Sequence, residues 1–65
     1  MTSADQRALD LVRTGAVTWT CRQGDYGSWN NAAGLSQALG RLMRAGAIKI
    51  VGAPAKGAVL RVEAA

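Results

Sequence analysis

The chain of 65 residues has no histidine, no phenylalanine, one cysteine and one proline, and each scarcity closes a class of function. With no His and a single Cys, neither a structural zinc site nor an internal disulfide can be assembled. There is also no carboxylate pair in an apolar context, no phosphate-loop glycine pattern and no base placed to activate Cys21. The chain therefore reads as a non-enzyme that uses no metal and no cofactor. Its apolar runs fall well short of the roughly 18 residues that span a bilayer, and the start MTSADQRALD has neither a basic leader nor an apolar signal core. These absences predict a soluble, unprocessed, cytoplasmic protein with no membrane association. A lone thiol suits a reducing compartment, and Cys21 reads as a small buried hydrophobe.

What is present is charge of one sign, unevenly placed. Eight Lys and Arg against four Asp and Glu give a net charge of +4. Residues 1–33 hold Asp5, Asp10 and Asp25 against Arg7, Arg13 and Arg22, which cancel. Residues 34–65 hold Arg41, Arg44, Lys49, Lys56 and Arg61 against Glu63 alone, so the whole excess of +4 is C-terminal. A basic half calls for an acidic partner, whether nucleic acid, anionic membrane or acidic protein, and charge placement must discriminate among them. The length makes residues 1–65 one domain. A chain this short buries only about 60% of its unfolded surface, so compactness or a partner must add to a marginal core.

Periodicity sets out the expected elements. Ser3 and Gln6 have capping-box spacing, and Ala4, Ala8, Leu11 and Val12 share one helical face, which predicts a first helix over 4–13 closed by Thr14-Gly15. Residues 16–19 favour extended geometry and predict one short bridging strand. Thr18 or Thr20 is placed to cap a short second helix through Cys21, Arg22 and Gln23, although Gly24 and Gly27 each cost about 1 kcal/mol inside a helix. Gly24 to Ser28 reads as a turn, anchored by Tyr26 and Trp29. Trp19 and Trp29 supply core bulk in a chain without Phe.

Asn30 or Asn31 is a suitable cap for a third helix over 32–45, whose apolar face is Leu35, Ala38, Leu39, Leu42 and Met43. Its opposite face collects Gln37, Arg41 and Arg44 among the small residues Ala33, Gly34 and Gly40, with Asn30 at its start. Gly46 stops it. Residues 47–51 and 58–62 then form two extended runs joined by a Gly- and Pro-bearing loop over 52–57, which reads as a hairpin. Ile48 and Ile50 point inward and Lys49 outward, Leu60 and Val62 alternate with Val59 and Arg61, and 63–65 reads as a frayed tail.

The run Leu39-Gly40-Arg41-Leu42-Met43-Arg44-Ala45-Gly46-Ala47-Ile48 resembles the end of a recognition helix leading into a wing, with Leu39, Leu42, Gly46 and Ile48 at the recurring positions. Together with the element order, it makes the chain similar to the winged helix-turn-helix domains of bacterial and phage regulators. The resemblance implies an α+β fold of three helices with a C-terminal two-stranded β-hairpin wing. Two features depart from that family: glycines in the second helix and a longer stretch from Thr18 to Asn31.

The resemblance further implies binding of double-stranded DNA with some sequence preference, as a small transcriptional regulator or DNA-processing accessory factor. The third helix would enter the major groove, where Gln37 reads adenine and Arg41 or Arg44 pairs with guanine. Lys56 at the wing tip, with Lys49 and Arg61 on the flanking strands, would grip phosphates or a minor groove; the competing reading is a solubilising edge. Asn30, Asn31 and Ser28 would either donate to phosphate or cap the helix. So small a module would act as a homodimer or with a larger protein partner. The rival is a winged-helix protein-interaction module, an inhibitor or adaptor that does not bind DNA. Single-stranded nucleic acid is disfavoured, since no aromatic stacking pair interleaves with the basic residues.

Overall fold

The structure is a computed structural model that describes residues 2–24 and 26–65. The first element, α1 (Ser3–Arg13), is capped one residue earlier than the Ser3 box predicts: the Thr2 hydroxyl accepts the Asp5 N–H at 3.1 Å. Asp5 in the first turn and Arg13 in the last complement the helix dipole. Ala8, Leu9 and Val12 are its buried residues, and Leu11 and Ala4 pack at the margin. The Thr14 hydroxyl donates to the Leu11 carbonyl at 2.6 Å, and Gly15, at a φ of 81°, turns the chain out.

The next segment corrects the sequence reading. The described residues of 18–30 hold no helix but a hairpin of β1 (Thr18–Cys21) and β2 (Gly27–Asn30), with Trp19 opposite Trp29 and Thr20 opposite Ser28. The physical reason lies in alternation. Trp19 and Cys21 point to the core while Thr18 and Thr20 point away, and β-branched and aromatic side chains fit such a half-buried pleat. Gly27 completes the arrangement, because a Cβ there would run into the Trp19 ring and lie 2.6 Å from the Thr20 carbonyl oxygen. Only Gly24 of the expected turn stays in a turn, since Gly27 and Ser28 are strand residues and Asp25 lies outside the described residues. Tyr26 does not anchor the loop, being 80% exposed.

The second helix, α2 (Ser36–Arg44), is shorter than the predicted 32–45. Asn31, Ala33 and Gly34 adopt φ of 58°, 51° and 76°, a left-handed run that cannot belong to a right-handed helix. Neither Asn30 nor Asn31 therefore caps it; the cap position is Leu35, which makes no side-chain cap bond. Ala38, Leu39 and Leu42 are buried, as their spacing predicts, and Gly46 at a φ of 76° ends the segment.

The strands β3 (Ile48–Val51) and β4 (Val59–Ala64) pair antiparallel, Ile50 opposite Val62 and Lys49 opposite Glu63. The predicted frayed tail is instead paired: Glu63 and Ala64 belong to β4, and the Ala65 N–H reaches the Ala47 carbonyl at 2.9 Å. β4 also pairs with β1, placing Trp19 opposite Leu60, so the whole forms one antiparallel sheet in the order β2-β1-β4-β3. The α+β class stands, but the winged helix-turn-helix architecture does not. Among the described residues there are two helices rather than three, and a four-stranded sheet rather than a two-stranded wing.

Both helices cover one face of this sheet, α1 against β4 and α2 against β3. The core between the layers is built on Leu39 and Ile48 with Val12, Val17, Leu42 and Val62. Cys21 is buried as a free thiol, and Trp19 and Trp29 meet edge-on with ring centroids 4.7 Å apart. The register puts Thr18, Thr20, Ser28, Asn30, Lys49 and Arg61 together on the opposite, open face. Among the described residues no helix is long and apolar enough to cross a membrane.

Candidate nucleic-acid interface

The helical turn of α2 places Gln37, Arg41 and Arg44 on its outward side, all exposed, with Gly40 between them. A Cβ on Gly40 would meet nothing closer than the Arg44 guanidinium at 3.6 Å, so the stripe is flat at its centre. Of the predicted face, Gln37, Gly40, Arg41 and Arg44 share α2 while Asn30, Ala33 and Gly34 lie before it, and the three polar members are not equivalent. Arg41 turns toward α1, and its Nε and one terminal nitrogen donate to the same Asp5 carboxylate oxygen at 3.0 and 2.7 Å. Asp5 is mostly covered there, its side chain 15% exposed, while Arg41 keeps 46% of its own. The hydrogen bonds from Arg41, aided by its charge and by the Thr2 hydroxyl, hold the Asp5 carboxyl below its ordinary value of 3.8, against an opposing push from desolvation.

Arg44 makes no ion pair with any described acidic residue. It and Gln37 remain the free polar groups of the stripe. Lys56 lies in the loop between β3 and β4, which packs beside the β1–β2 turn. The two loops enclose a cleft of about 240 Å³, lined by Arg22, Gln23, Gly24, Pro54, Ala55 and Lys56 with Cys21 at its floor. Two cations are therefore grouped at the end of the sheet remote from α2, one predicted and one, Arg22, not singled out by the sequence.

The remaining predicted residues fall elsewhere. Lys49 and Arg61 lie on the open sheet face, away from the helices, and Arg61 donates to Glu63 at 2.8 Å. Asn30 is on the same face, where its amide donates to the Thr18 and Thr20 hydroxyls at 3.2 and 2.7 Å. The Asn31 amide is spent on the Ala16 carbonyl at 3.1 Å, pinning the chain between β2 and α2 to the segment before β1. Ser28 and Asn30 are β2 residues on the open sheet face and not at the α2 N-terminus, so the predicted phosphate cradle of Ser28, Asn30 and Asn31 is not assembled there.

Two features lay outside the sequence reading. Asp5 drew no role from the sequence, although its spacing of three and four from the buried Ala8 and Leu9 sets it at the rim where a second helix packs. The other is an apolar cleft of about 270 Å³ on the core side of the sheet, beyond the reach of the helices, walled by Trp19, Ile50, Leu60, Pro54 and Tyr26 over Cys21. Its only sequence signal was the alternation of Trp19 with Cys21 and of Ile50 with its neighbours. Among the described residues no group of His, Cys, Asp and Glu is placed to hold a metal ion. Comparison with protein-family models, with curated proteins and with solved structures finds no match for the chain.

Proposed function

We propose that this protein binds double-stranded DNA in the cytoplasm and acts by occupancy, as a small regulator of transcription or an accessory factor in DNA processing. The observation that carries the reading is the outward stripe of α2, with Gln37 and Arg44 exposed on either side of a glycine. A helix that is flat between a planar amide and a guanidinium with no described acidic partner can bring its backbone close to base edges while both groups read them. Lys56 and Arg22, at the far end of the sheet, supply a second phosphate contact. Arg41 serves as a strut to Asp5 and not as a reader of bases. Lys49 and Arg61 face away and are left out of the interface.

The rival reading, a module that binds protein and not DNA, is favoured by one feature, Tyr26 standing 80% exposed at the mouth of an apolar cleft. The two are separated by titrating a labelled random-sequence duplex at several salt concentrations. Wild type should lose affinity linearly in log salt, the variant Lys56→Ala should have a slope shallower by about 0.9 for the phosphate contact removed, and Arg44→Ala should weaken binding through its lost base contact. Absence of binding at low salt, or an unchanged slope in Lys56→Ala, would overturn the assignment.

A further inference from the structure

We propose that the free edge of β2 is a self-association surface, where a second copy of this chain adds its own β2 antiparallel and extends the sheet through a two-fold axis at Ser28. The argument is independent of the DNA reading. Within β1–β2 the Arg22 N–H bonds to the Tyr26 carbonyl, and the Cys21 N–H bonds across the other side to Ala58. Because hydrogen-bonded pairs alternate along an antiparallel ladder, Ser28 and Asn30 bond inward to β1, while the N–H and C=O of Gly27 and Trp29 point out of the sheet. Those four backbone groups have no strand beside them, since β2 is the edge of the sheet.

The two edges of the sheet are not alike. β3 carries Lys49 and has α2 packed against it, which are ordinary guards against strand addition. β2 carries no charge, no proline and no covering helix contact of comparable extent. No charged residue occurs between Tyr26 and Gly40 or between Thr14 and Cys21, so β1 and β2 form the neutral side of a chain whose net charge is +4. Two such chains repel each other least along this edge. The pairing is also self-complementary: with Ser28 on the axis, Gly27 of one copy faces Trp29 of the other, and both copies' outward donors and acceptors are matched. Centring on Trp29 instead sets Gly27 opposite Asn31, which has already turned left-handed at a φ of 58°, and centring on Gly27 sets Trp29 opposite residue 25, beyond the strand.

Four residues of strand are about 13 Å long and bury much less than the roughly 800 Å² per partner of a stable complex, so the dimer forms at high protein concentration and dissociates on dilution. Ser28 would sit opposite its own copy as a non-hydrogen-bonded pair, with Cα atoms about 4.5 Å apart, inside the range a disulfide accepts. The test is oxidative cross-linking of Ser28→Cys and, as control, Val59→Cys, each in a Cys21→Ser background and without DNA. Val59 is 61% exposed on the same open face but in a central strand. Covalent dimer from Ser28→Cys and its loss in Val59→Cys is the expected result; equal yields, or monomer from both, would overturn the proposal. Sedimentation gives the second readout without cysteines: the concentration-dependent mass of the wild type should be lost in Ser28→Lys, which sets two ammonium groups face to face while circular dichroism stays unchanged. A monomer at every concentration in both proteins also refutes it.

Discussion

Replacing Gly27 with alanine separates the hairpin from the helix it was expected to resemble, because the two structures predict opposite signs. In a helix, Gly→Ala stabilises by about 1 kcal/mol through backbone entropy. In the observed hairpin the new Cβ meets the Trp19 ring on one side and the Thr20 carbonyl oxygen at 2.6 Å on the other. The second of these is backbone, so relief requires β1 and β2 to move apart, and Trp19 cannot retreat without leaving its edge-on contact with Trp29 at 4.7 Å. Overpacking of this kind costs about 1–3 kcal/mol, and with backbone involved we take about 2. A domain of 65 residues has roughly 3–10 kcal/mol of stability in total. At about 4–8 °C per kcal/mol, Tm should therefore fall by about 8–16 °C. Thermal melting followed by far-ultraviolet circular dichroism measures this, and tryptophan fluorescence at low temperature should report a changed environment for Trp19. A Tm equal to or above that of the wild type would refute the packing of Trp19 over Gly27 and with it the hairpin.

Gly40→Ala is the matched control in a real helix: its Cβ meets only the Arg44 guanidinium at an ordinary 3.6 Å, so Tm should rise by about 4–8 °C for the roughly 1 kcal/mol of propensity gained. A fall in Tm would place that position in tighter packing than the structure shows. Asp5→Asn probes the α1–α2 strut through pH. The folded-state pKa of Asp5 lies below 3.8, so its contribution to stability is complete above that value and is lost as the pH falls through the lowered folded value. The Tm difference between wild type and Asp5→Asn should accordingly be constant at neutral pH and close on acidification. A difference that persists unchanged in strong acid would mean that the ion pair is not its source.

The parts of this fold that rest on local periodicity were readable in the chain. The buried face of α2, the stop at Gly46 and the alternation of Ile48, Ile50, Leu60 and Val62 need nothing beyond neighbours a few residues away. Residues 18–30 were opaque for a physical reason: Thr and Asn serve equally as helix caps and as strand residues, and what decides between them is distant. Trp19 becomes a central strand residue only because Leu60 pairs with it, a contact that no local pattern announces. The α2 stripe shows the same division. Its composition was legible from spacing, whereas the diversion of Arg41 to a carboxylate 36 residues away was not. Asn30 and Asn31, chosen as caps by residue type, are instead consumed by the Thr18 and Thr20 hydroxyls and by the Ala16 carbonyl. The basic residues of the C-terminal half, grouped by the charge count of the sequence, are split by the sheet between its two sides, because Lys49 and Arg61 have the outward parity of their strands.

The most direct test of the binding reading is a nuclear magnetic resonance titration of the isotope-labelled protein with a random-sequence duplex at low salt, following every backbone amide. The account predicts that shifts concentrate in α2, at Gln37, Gly40 and Arg44, with a second cluster at Arg22 and Lys56, while Lys49, Arg61 and the open face around Asn30 stay still. Shifts confined to the open face, or to the cleft between Trp19, Tyr26 and Leu60, would contradict it, as would a spectrum that the DNA leaves unchanged.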